Sequence, residues 1–249
     1  MNGIRESEPV VVISPHLDDA VFACGQLLAG HPGSVVVTAL AGRPPVYPGL
    51  SLWDAAAGFR AGEDVVAVRR AEDRAGLGVL GARPVWLDFC DSQYGCTPAL
   101  ETLAAALEAA VVEAGLTAVF VPLGLFHSDH ALTHAAALRV MRRHPGWRWF
   151  GYEEPNYRRV PNLLAERLAA LRRTGVVARF AGSSTDAGAR KRQAVAAYQS
   201  QLRALSAPGY PGYDDVFAAE RYWRLELLPA VTEHAAGRVA RWSLSRSGL

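Results

Sequence analysis

Short apolar runs alternate with longer stretches rich in alanine and leucine through the first 152 residues. The apolar runs have the length of strands and are enriched in β-branched residues, so they predict strands that are buried on both faces. The predicted strands cover residues 9–14, 34–40, 84–89, 118–122 and 147–152. The predicted helices cover residues 19–29, 65–80 and 130–143, with a further helix that Thr97 caps and that ends near Gly115.

This alternation predicts a mostly parallel sheet covered by helices, which is an α/β fold. After Pro161 the pattern is weaker. It predicts a helix over 163–173, a strand over 176–181, a long helix from about Thr185 to Leu205, and a strand over 223–228. No internal repeat or linker is found. We therefore expect a single domain over residues 1–249, with a core at 9–152 and C-terminal helices and a strand at 161–230.

The composition indicates a folded protein and excludes several other classes. Half of the residues are hydrophobic and 20% are charged, which allows a large core and argues against intrinsic disorder. The three cysteines are scattered, which indicates a reducing compartment rather than a disulfide scaffold. No apolar run approaches the roughly 20 residues of a membrane span, and residues 1–9 lack the apolar stretch of a signal peptide. We expect a cytoplasmic protein.

The net charge of +2 is unevenly distributed along the chain. Residues 1–124 carry 7 basic and 14 acidic side chains, a balance of −7, whereas residues 125–249 carry 19 and 10, a balance of +9. Solvated helix faces explain this distribution, and an anionic ligand near the arginine-rich C-terminal half is the alternative. Because no long basic run or known reader motif is present, we expect no nucleic-acid partner.

Titratable side chains follow the first predicted strand directly. Residues 14–19 read Ser-Pro-His-Leu-Asp-Asp, which places His16, Asp18 and Asp19 in one strand-to-helix turn. Adjacent carboxylates remain ionised together only where a cation, hydrogen bonds or solvent compensates their charge. The alternative is structural, with one of the two aspartates as the N-cap of the next helix and His16 without a functional role.

A second cluster follows the fourth predicted strand. Residues 127–134 read His-Ser-Asp-His-Ala-Leu-Thr-His. Ligands of parallel sheets bind outside the carboxyl ends of the strands, so the two clusters predict one shared site. His16, Asp19 and one histidine of the second cluster would give the three protein ligands that are typical of catalytic zinc. Imidazole ligands favour zinc over magnesium, and iron or cobalt would suit the same set.

One nucleotide-binding pattern occurs in the wrong context. Residues 76–81 match the dinucleotide pattern G-x-G-x-x-G. That pattern must follow a strand and open a helix, whereas here it closes a helix and precedes a strand. We therefore interpret it as a helix end.

The two clusters make the sequence similar to the PIG-L (LmbE-like) family of metal-dependent N-acetylglucosamine deacetylases. SPHLDDA and HSDHALTH resemble the family signatures His-Pro-Asp-Asp-Glu and His-Pro-Asp-His-x-x-x-His. Residues 69–72 with 80–81 resemble the R-x-x-E…L-G helix of the family, and residues 191–201 resemble its K…Y-x-S-Q helix. The resemblance implies a three-layer α/β/α Rossmann-like fold and the zinc-dependent removal of an acetyl group from an N-acetylglucosamine-type sugar.

Carried over by position, the resemblance also implies the role of each site residue. One Zn²⁺ per chain, or another divalent metal, would be held by His16, Asp19 and His130. The implied catalytic residues are Asp18 as the general base toward the zinc-activated water, His127 as a cation that stabilises the oxyanion or protonates the amine, and Asp129 as the residue that holds a histidine in place. Arg69 and Asp91 would bind sugar hydroxyls.

The sequence departs from the family pattern near the site. Leu17 and Ser128 stand where the signatures have proline, and Ala20 replaces a glutamate. Leu125 stands where some members carry a tyrosine that assists the oxyanion, so this donor is either missing or supplied elsewhere. No departure removes an implied ligand, but together they leave the substrate open.

We expect the substrate to be an amino sugar attached to a larger or anionic group. The long loop 41–53 carries Arg43, Tyr47 and Trp53, which could line an open cleft for that group. Two other functions fit the same clusters: a metal-assisted phosphoester hydrolase, and a non-catalytic sugar-binding protein of the same fold. The sequence leaves open the oligomeric state, including a homo-oligomer, and the roles of Glu153, Glu154 and His134.

Overall fold

A computed structural model describes residues 5–184 and 188–229, and these form one sheet with helices on both of its faces. The strands are, in chain order, β1 (Val11–Ser14), β2 (Val35–Thr38), β3 (Arg83–Trp86), β4 (Ala118–Pro122), β5 (Arg148–Tyr152), β6 (Val176–Ser183) and β7 (Arg221–Leu227). Across the sheet the order is β3-β2-β1-β4-β5-β7-β6. Strands β1 to β5 pair in parallel, whereas β7 pairs antiparallel with both β5 and β6. The expected mostly parallel sheet is thereby confirmed.

The helices lie in the connections between the strands, and those before β5 form the crossovers of the parallel part of the sheet. They are α1 (Asp19–Gly30), α2 (Leu52–Ala56), α3 (Val65–Leu80), α4 (Leu100–Ala114), α5 (Ser128–Arg143), α6 (Leu163–Arg173), α7 (Ala189–Val195) and α8 (Gln199–Leu205). No helix among the described residues is long and apolar enough to cross a bilayer.

Alternating residues of the strands build two separate cores. Val11 and Ile13 of β1 pack with buried residues of α4 and α5, whereas Val10 and Val12 pack with buried residues of α1 and α3. Because both faces of β1 are covered, all four of these side chains are fully buried. The result is a three-layer α/β/α arrangement, as expected from the continuous apolar runs.

The predicted long helix near the C-terminus is wrong, because the structure has two short helices, α7 and α8, separated at 196–198. Tertiary hydrogen bonds explain the break. The Tyr198 hydroxyl donates to Asp73 on α3 at 2.9 Å, and the backbone N–H of Ser200 donates to Glu72 at 2.8 Å. The expected start of that helix, at Thr185, lies outside the described residues. Helix α2 lies at the end of a segment for which the sequence predicted only a loop.

A buried ion pair joins α7 to the residue before β7 and to α1. The Lys191 ammonium donates to Glu220 at 2.7 Å and to the carbonyl of Phe22 at 2.8 Å. Glu220 in turn accepts the backbone N–H of Gln26 at 2.7 Å. The pair thus contacts the Phe22 carbonyl and the Gln26 N–H, which are one helical turn apart on α1. Gly25 is needed here, because a Cβ would lie 2.8 Å from Lys191 Cγ.

We predict that Lys191→Met lowers the free energy of unfolding by about 3–5 kcal/mol, because it leaves the Glu220 carboxylate buried without its cation. Urea denaturation measures this loss, and the double variant Lys191→Met/Glu220→Gln should recover part of it. The exposed pair Arg179–Glu226 is the control, and Arg179→Met should cost less than about 1 kcal/mol. Equal losses in the two single variants would contradict the prediction.

Candidate metal centre and active site

The two sequence clusters meet at the carboxyl edge of the sheet. Strands β1 and β4 are neighbours, with Val11 opposite Val119 and Val12 opposite Phe120. The crossovers from β1 and β4 lead to opposite sides of the sheet, so a crevice opens where the strand order reverses. Residues 16–19 after β1 and 127–130 after β4 lie on either side of this crevice.

The turn after β1 is shaped by its own polar side chains. The Ser14 hydroxyl donates to the His16 carbonyl at 2.7 Å and accepts the Ala20 N–H at 3.0 Å. The Asp19 carboxylate accepts the His16 N–H at 2.9 Å. Asp18 occupies the N-cap position of α1, but its side chain makes no capping hydrogen bond. The Asp18 carboxylate is therefore not committed to capping.

Asp19, His16 and His130 form a cluster with the dimensions of a metal site. Asp19 Oδ2 lies 3.2 Å from His16 Nδ1 and 3.3 Å from His130 Nε2. One ligand atom from each residue lies within 4.8 Å of the others. Metal–ligand bonds of roughly 2.0–2.1 Å in a tetrahedron place ligand atoms about 3.3–3.4 Å apart, so the two short separations match such a site.

Each of the two imidazoles is held from behind by a carboxylate. His16 Nε2 lies 3.1 Å from Asp129 Oδ2, and His130 Nδ1 lies 3.3 Å from Glu154 Oε1. Glu154 Oε1 also accepts the backbone N–H groups of Gly124 and Leu125 at 2.8 and 2.9 Å. Metal-ligating histidines commonly donate their second N–H to a carboxylate, which fixes the ring and the tautomer. The carboxylates behind the two imidazoles are therefore a second reason why the cluster fits a bound divalent metal.

Glu154 is the member of this arrangement whose role the sequence left open. It follows β5, the third strand to contribute to the crevice. Its position directly after a strand is the sequence signal that indicates a place near the cleft. The adjacent Glu153 does not join the site. Glu153 instead accepts the indole N–H of Trp223 at 2.8 Å and pairs with Arg221 at 3.3 Å on β7.

Acidic and basic side chains face each other at short distance in the cluster, so each shifts the pKa of the others. Burial lowers the pKa of His130, but the Asp19 carboxylate and then the Glu154 carboxylate more than offset this and raise it to about 9. Burial raises the pKa of Asp19, and His130 and His16 together hold it well below its usual range. Without a cation the imidazoles must carry the compensating positive charge. A divalent metal would supply the same charge while leaving the imidazoles neutral.

Asp18 differs from its neighbour Asp19. Burial and then the Asp19 charge raise the pKa of Asp18 to about 7, with Arg69 opposing them. Among the described residues no group donates a hydrogen bond to the Asp18 carboxylate. A carboxylate with free lone pairs and a pKa near neutrality is suited to accept a proton.

His127 is the N-cap of α5. Its Nδ1 accepts the Asp129 backbone N–H at 3.2 Å, which places the proton of a neutral ring on Nε2. Burial lowers the pKa of His127, and the charges of His16 and His130 lower it further. This direction is opposite to the imidazolium that we expected. His16, His127 and Asp129 also lie close enough to share a metal, but Asp129 Oδ2 already accepts the Ser92 N–H at 3.1 Å in addition to His16.

A cavity of about 330 Å³ opens above these groups. Its lining includes His16, Asp18, Asp19, Arg69, Asp91, Gln93, His127, His130, Asn156, Gln201 and the apolar or aromatic residues Trp53, Phe126, Tyr157, Leu205, Tyr210 and Pro211. Arg69 is only 5% exposed and lies 3.5 Å from Asp91. The Arg69 Nε has no hydrogen-bond partner among the described residues. Both sequence-predicted sugar-binding residues therefore lie in the cavity wall.

The predicted cleft-lining loop contributes only one of its three named residues. Trp53, on α2, lines the cavity and donates to Gln201 at 3.0 Å. Tyr47 and Arg43 instead contact Asp64, the N-cap of α3, at 2.9 and 3.2 Å. The expectation that Arg43 and Tyr47 line this cavity is wrong, because a capping carboxylate binds both side chains.

The two weaker sequence matches prove to be one structural unit. Glu72 of the first match accepts both the Ser200 N–H at 2.8 Å and the Ser200 hydroxyl at 2.6 Å. This places α8 beside α3 and brings Gln201 into the cavity wall. Lys191 of the second match lies away from the cavity, in the buried ion pair with Glu220.

His134 is not close to the metal cluster. Its Nδ1 donates to the Pro122 carbonyl at 2.6 Å, and its Nε2 is buried without a hydrogen-bond partner among the described residues. Burial, followed by the charge of Arg167, lowers the pKa of His134 to about 3. The role of His134 is thus to join α5 to the end of β4.

Comparisons with known proteins agree with this architecture. The family described as GlcNAc-PI de-N-acetylase (PIG-L) matches residues 11–141. The structure is similar to A40926 pseudoaglycone deacetylase Dbv21, with 25% identity, a TM-score of 0.71, and coverage of 90% of this chain and 100% of that one. A deacetylase–teicoplanin complex is similar at 22% identity and a TM-score of 0.65, with 89% and 99% coverage. The zinc-inhibited form of teicoplanin deacetylase Orf2 is similar at 22% identity and a TM-score of 0.68, with the same coverage. No curated protein sequence matches significantly.

We predict that His134 makes the protein less stable in acid. Its pKa is about 3 in the folded protein and about 6.5 in an unfolded chain. As the pH falls from about 6.5 toward 3, the unfolded chain binds a proton that the folded protein does not. The free energy of unfolding then falls by up to about 1.4 kcal/mol per pH unit. His134→Asn keeps a donor for Pro122 and removes the titration, so its pH dependence should be shallower. The prediction would be contradicted if the free energy of unfolding fell equally in the wild type and in His134→Asn between pH 7 and pH 4.

Proposed function

The chain belongs to the GlcNAc-PI de-N-acetylase (PIG-L) family, and we propose that it hydrolyses the acetamido group of an N-acetylglucosamine-type sugar on a larger conjugate. The observation that carries the proposal is the Asp19, His16 and His130 cluster beside an uncommitted carboxylate, Asp18, in a single cavity. A binding protein has no need for a free base beside a metal site. The reaction consumes water and yields the free amine and acetate.

We propose that one divalent metal, zinc, binds to His16, Asp19 and His130. Two imidazoles and one carboxylate are the ligand set that zinc prefers at catalytic sites. When bound, the metal supplies Lewis-acid chemistry that acidifies water and polarises the acyl carbonyl. Asp129 and Glu154 keep the two imidazoles oriented toward it.

Asp18 moves the proton in this proposal. Its carboxylate takes a proton from the attacking water as the new carbon–oxygen bond forms. When the carbon–nitrogen bond breaks, the same carboxyl returns the proton to the leaving nitrogen, so the amine departs neutral. Arg69 faces Asp18 and opposes the rise of its pKa.

His127 and Arg69 act on the substrate. The Nε2–H of a neutral His127 donates a hydrogen bond to the acyl oxygen as negative charge develops there. Arg69 and Asp91 lie side by side in the cavity wall, where they would bind sugar hydroxyls.

The rest of the conjugate is proposed to lie on the aromatic wall of the cavity. The Trp53 and Tyr210 rings meet edge to face with centroids 5.3 Å apart, and Leu205 and Pro211 extend the surface. Such a wall suits a bulky apolar or aromatic group. The related Dbv21 is a pseudoaglycone deacetylase, which agrees with a conjugated substrate. Among the described residues, the two groups that could hold a metal share His16, so they do not provide two independent metal sites of the kind that many phosphoester hydrolases use.

Acetate release tests the proposed function. The probes are free N-acetylglucosamine and 4-methylumbelliferyl N-acetylglucosaminide, each with metal-loaded protein and with a chelator. We expect chelator-sensitive release from both, faster from the conjugate, because binding of the remote group lowers the barrier. Trp53→Ala should slow only the conjugate. No acetate from either probe, or inorganic phosphate from a matched phosphoester instead, would contradict the proposal.

We predict that Asp18→Asn retains its metal and loses about 10²–10⁴-fold in turnover, which is the usual contribution of a general base. Metal analysis and acetate release are measured on the same sample. Asp88→Asn is the matched control, because Asp88 is an exposed aspartate with a side chain that is 89% accessible. An Asp18→Asn protein that folds normally but binds no metal would make Asp18 a ligand and refute its assigned role.

A further inference from the structure

The tetrahedral state of amide hydrolysis needs hydrogen-bond donors at the acyl oxygen. Leu125, two residues before His127, cannot provide one. Leu125 is 1% exposed and belongs to the hydrophobic core between the sheet, α4 and α5. Arg69 is engaged by Asp91 at 3.5 Å. The chain must therefore place any further neutral donor elsewhere in the cavity.

Tyr157, which carries a hydroxyl, lines the cavity from a different part of the fold. It follows Glu154 in the segment after β5, and its backbone N–H donates to the Glu154 carbonyl at 3.1 Å. The Tyr157 ring meets the His130 ring edge to face, with centroids 5.4 Å apart. Its hydroxyl makes no hydrogen bond to any residue in the part of the chain that the structure describes.

Phe126, which has a strained backbone conformation, packs on the Tyr157 ring. Phe126 stacks on Tyr157 with centroids 5.4 Å apart and an interplanar angle of 29°. Phe126 is 72% exposed and has a φ of 57°, a left-handed conformation that costs energy for a bulky residue. The Tyr157 ring thus contacts both Phe126 and His130, and these two contacts restrict its movement.

We propose that the Tyr157 hydroxyl is a catalytic hydrogen-bond donor to the acyl oxygen, in place of the donor that Leu125 cannot supply. The inference rests on the proposed deacetylase function. Tyr157 and His127 both contribute to the lining of the cavity beside His130. Two donors on the same side as the metal cluster would share the developing charge. The hydroxyl keeps its proton throughout, so no bond to hydrogen is broken in this role.

The test compares Tyr157→Phe with Tyr213→Phe. Both variants lose one hydroxyl, but Tyr213 packs on Phe217 and does not line the cavity. Phenylalanine keeps the stacking of residue 157 on Phe126 and His130. We expect Tyr157→Phe to bind metal normally and to lose about 10²-fold in kcat, with KM for N-acetylglucosamine little changed. Tyr213→Phe should match the wild type.

Two further measurements separate oxyanion stabilisation from a structural effect. With N-trifluoroacetylglucosamine the fluorines already stabilise the oxyanion, so the defect of Tyr157→Phe should be at least tenfold smaller than with the acetyl compound. Affinity for the tetrahedral, anionic N-methylphosphonyl analogue of glucosamine should fall by tenfold or more. Equal defects on both acyl groups, or unchanged affinity for the analogue, would overturn the role of Tyr157. Absence of acetate release by the wild type would instead overturn the proposed function itself.

Discussion

The site depends on how the charge of the Asp19 carboxylate is compensated. Asp19 Oδ2 lies about equally far from His16 Nδ1 and His130 Nε2, at 3.2 and 3.3 Å. These contacts join the turn after β1 to the helix after β4, which are distant in sequence. Positive charge is required between them, either as protons on the imidazoles or as a cation. Everything else in the crevice is arranged around that requirement, because unbalanced charges cannot be buried cheaply.

Surrounding groups turn this electrostatic requirement into a defined geometry. Asp129 and Glu154 each hold one imidazole from behind. Glu154 also binds the backbone after β4 through Gly124 and Leu125. Three strand ends are thereby tied to one cluster. Asp18 remains outside these interactions, so its carboxylate is available for the proton transfer that we propose.

The sequence predicted the parts of the molecule that depend on local pattern. Continuous apolar runs indicated the parallel strands, and the residues directly after β1 and β4 indicated the metal cluster. The break between α7 and α8 could not be predicted, because it is set by the contact of Tyr198 with Asp73 across the fold. The hydrogen bond from Tyr47 to Asp64 could not be predicted either, because it too is a tertiary contact.

Two other features could not be predicted from the sequence. They are the side-chain positions in segments without periodicity and the pKa shifts that several neighbouring charges cause together. Glu154 and Tyr157 lie in an irregular segment after β5, where no hydrophobic pattern says which way a side chain points. The lowered pKa of His127 results from burial and from the combined charges of His16 and His130. Its own motif suggests the opposite, because the adjacent Asp129 favours the charged ring. The direction of the pKa shift of His127 can be worked out only when the positions of all its charged neighbours are known.

The central claim is that one cation is bound by two imidazoles and one carboxylate at the ends of β1 and β4. X-ray absorption at the zinc edge of the zinc-loaded protein tests this most directly. The account predicts two imidazole nitrogens and carboxylate oxygen at roughly 2.0–2.2 Å, with no sulfur in the coordination shell. A shell with sulfur at about 2.3 Å, or one of oxygen alone without imidazole scattering, would contradict it.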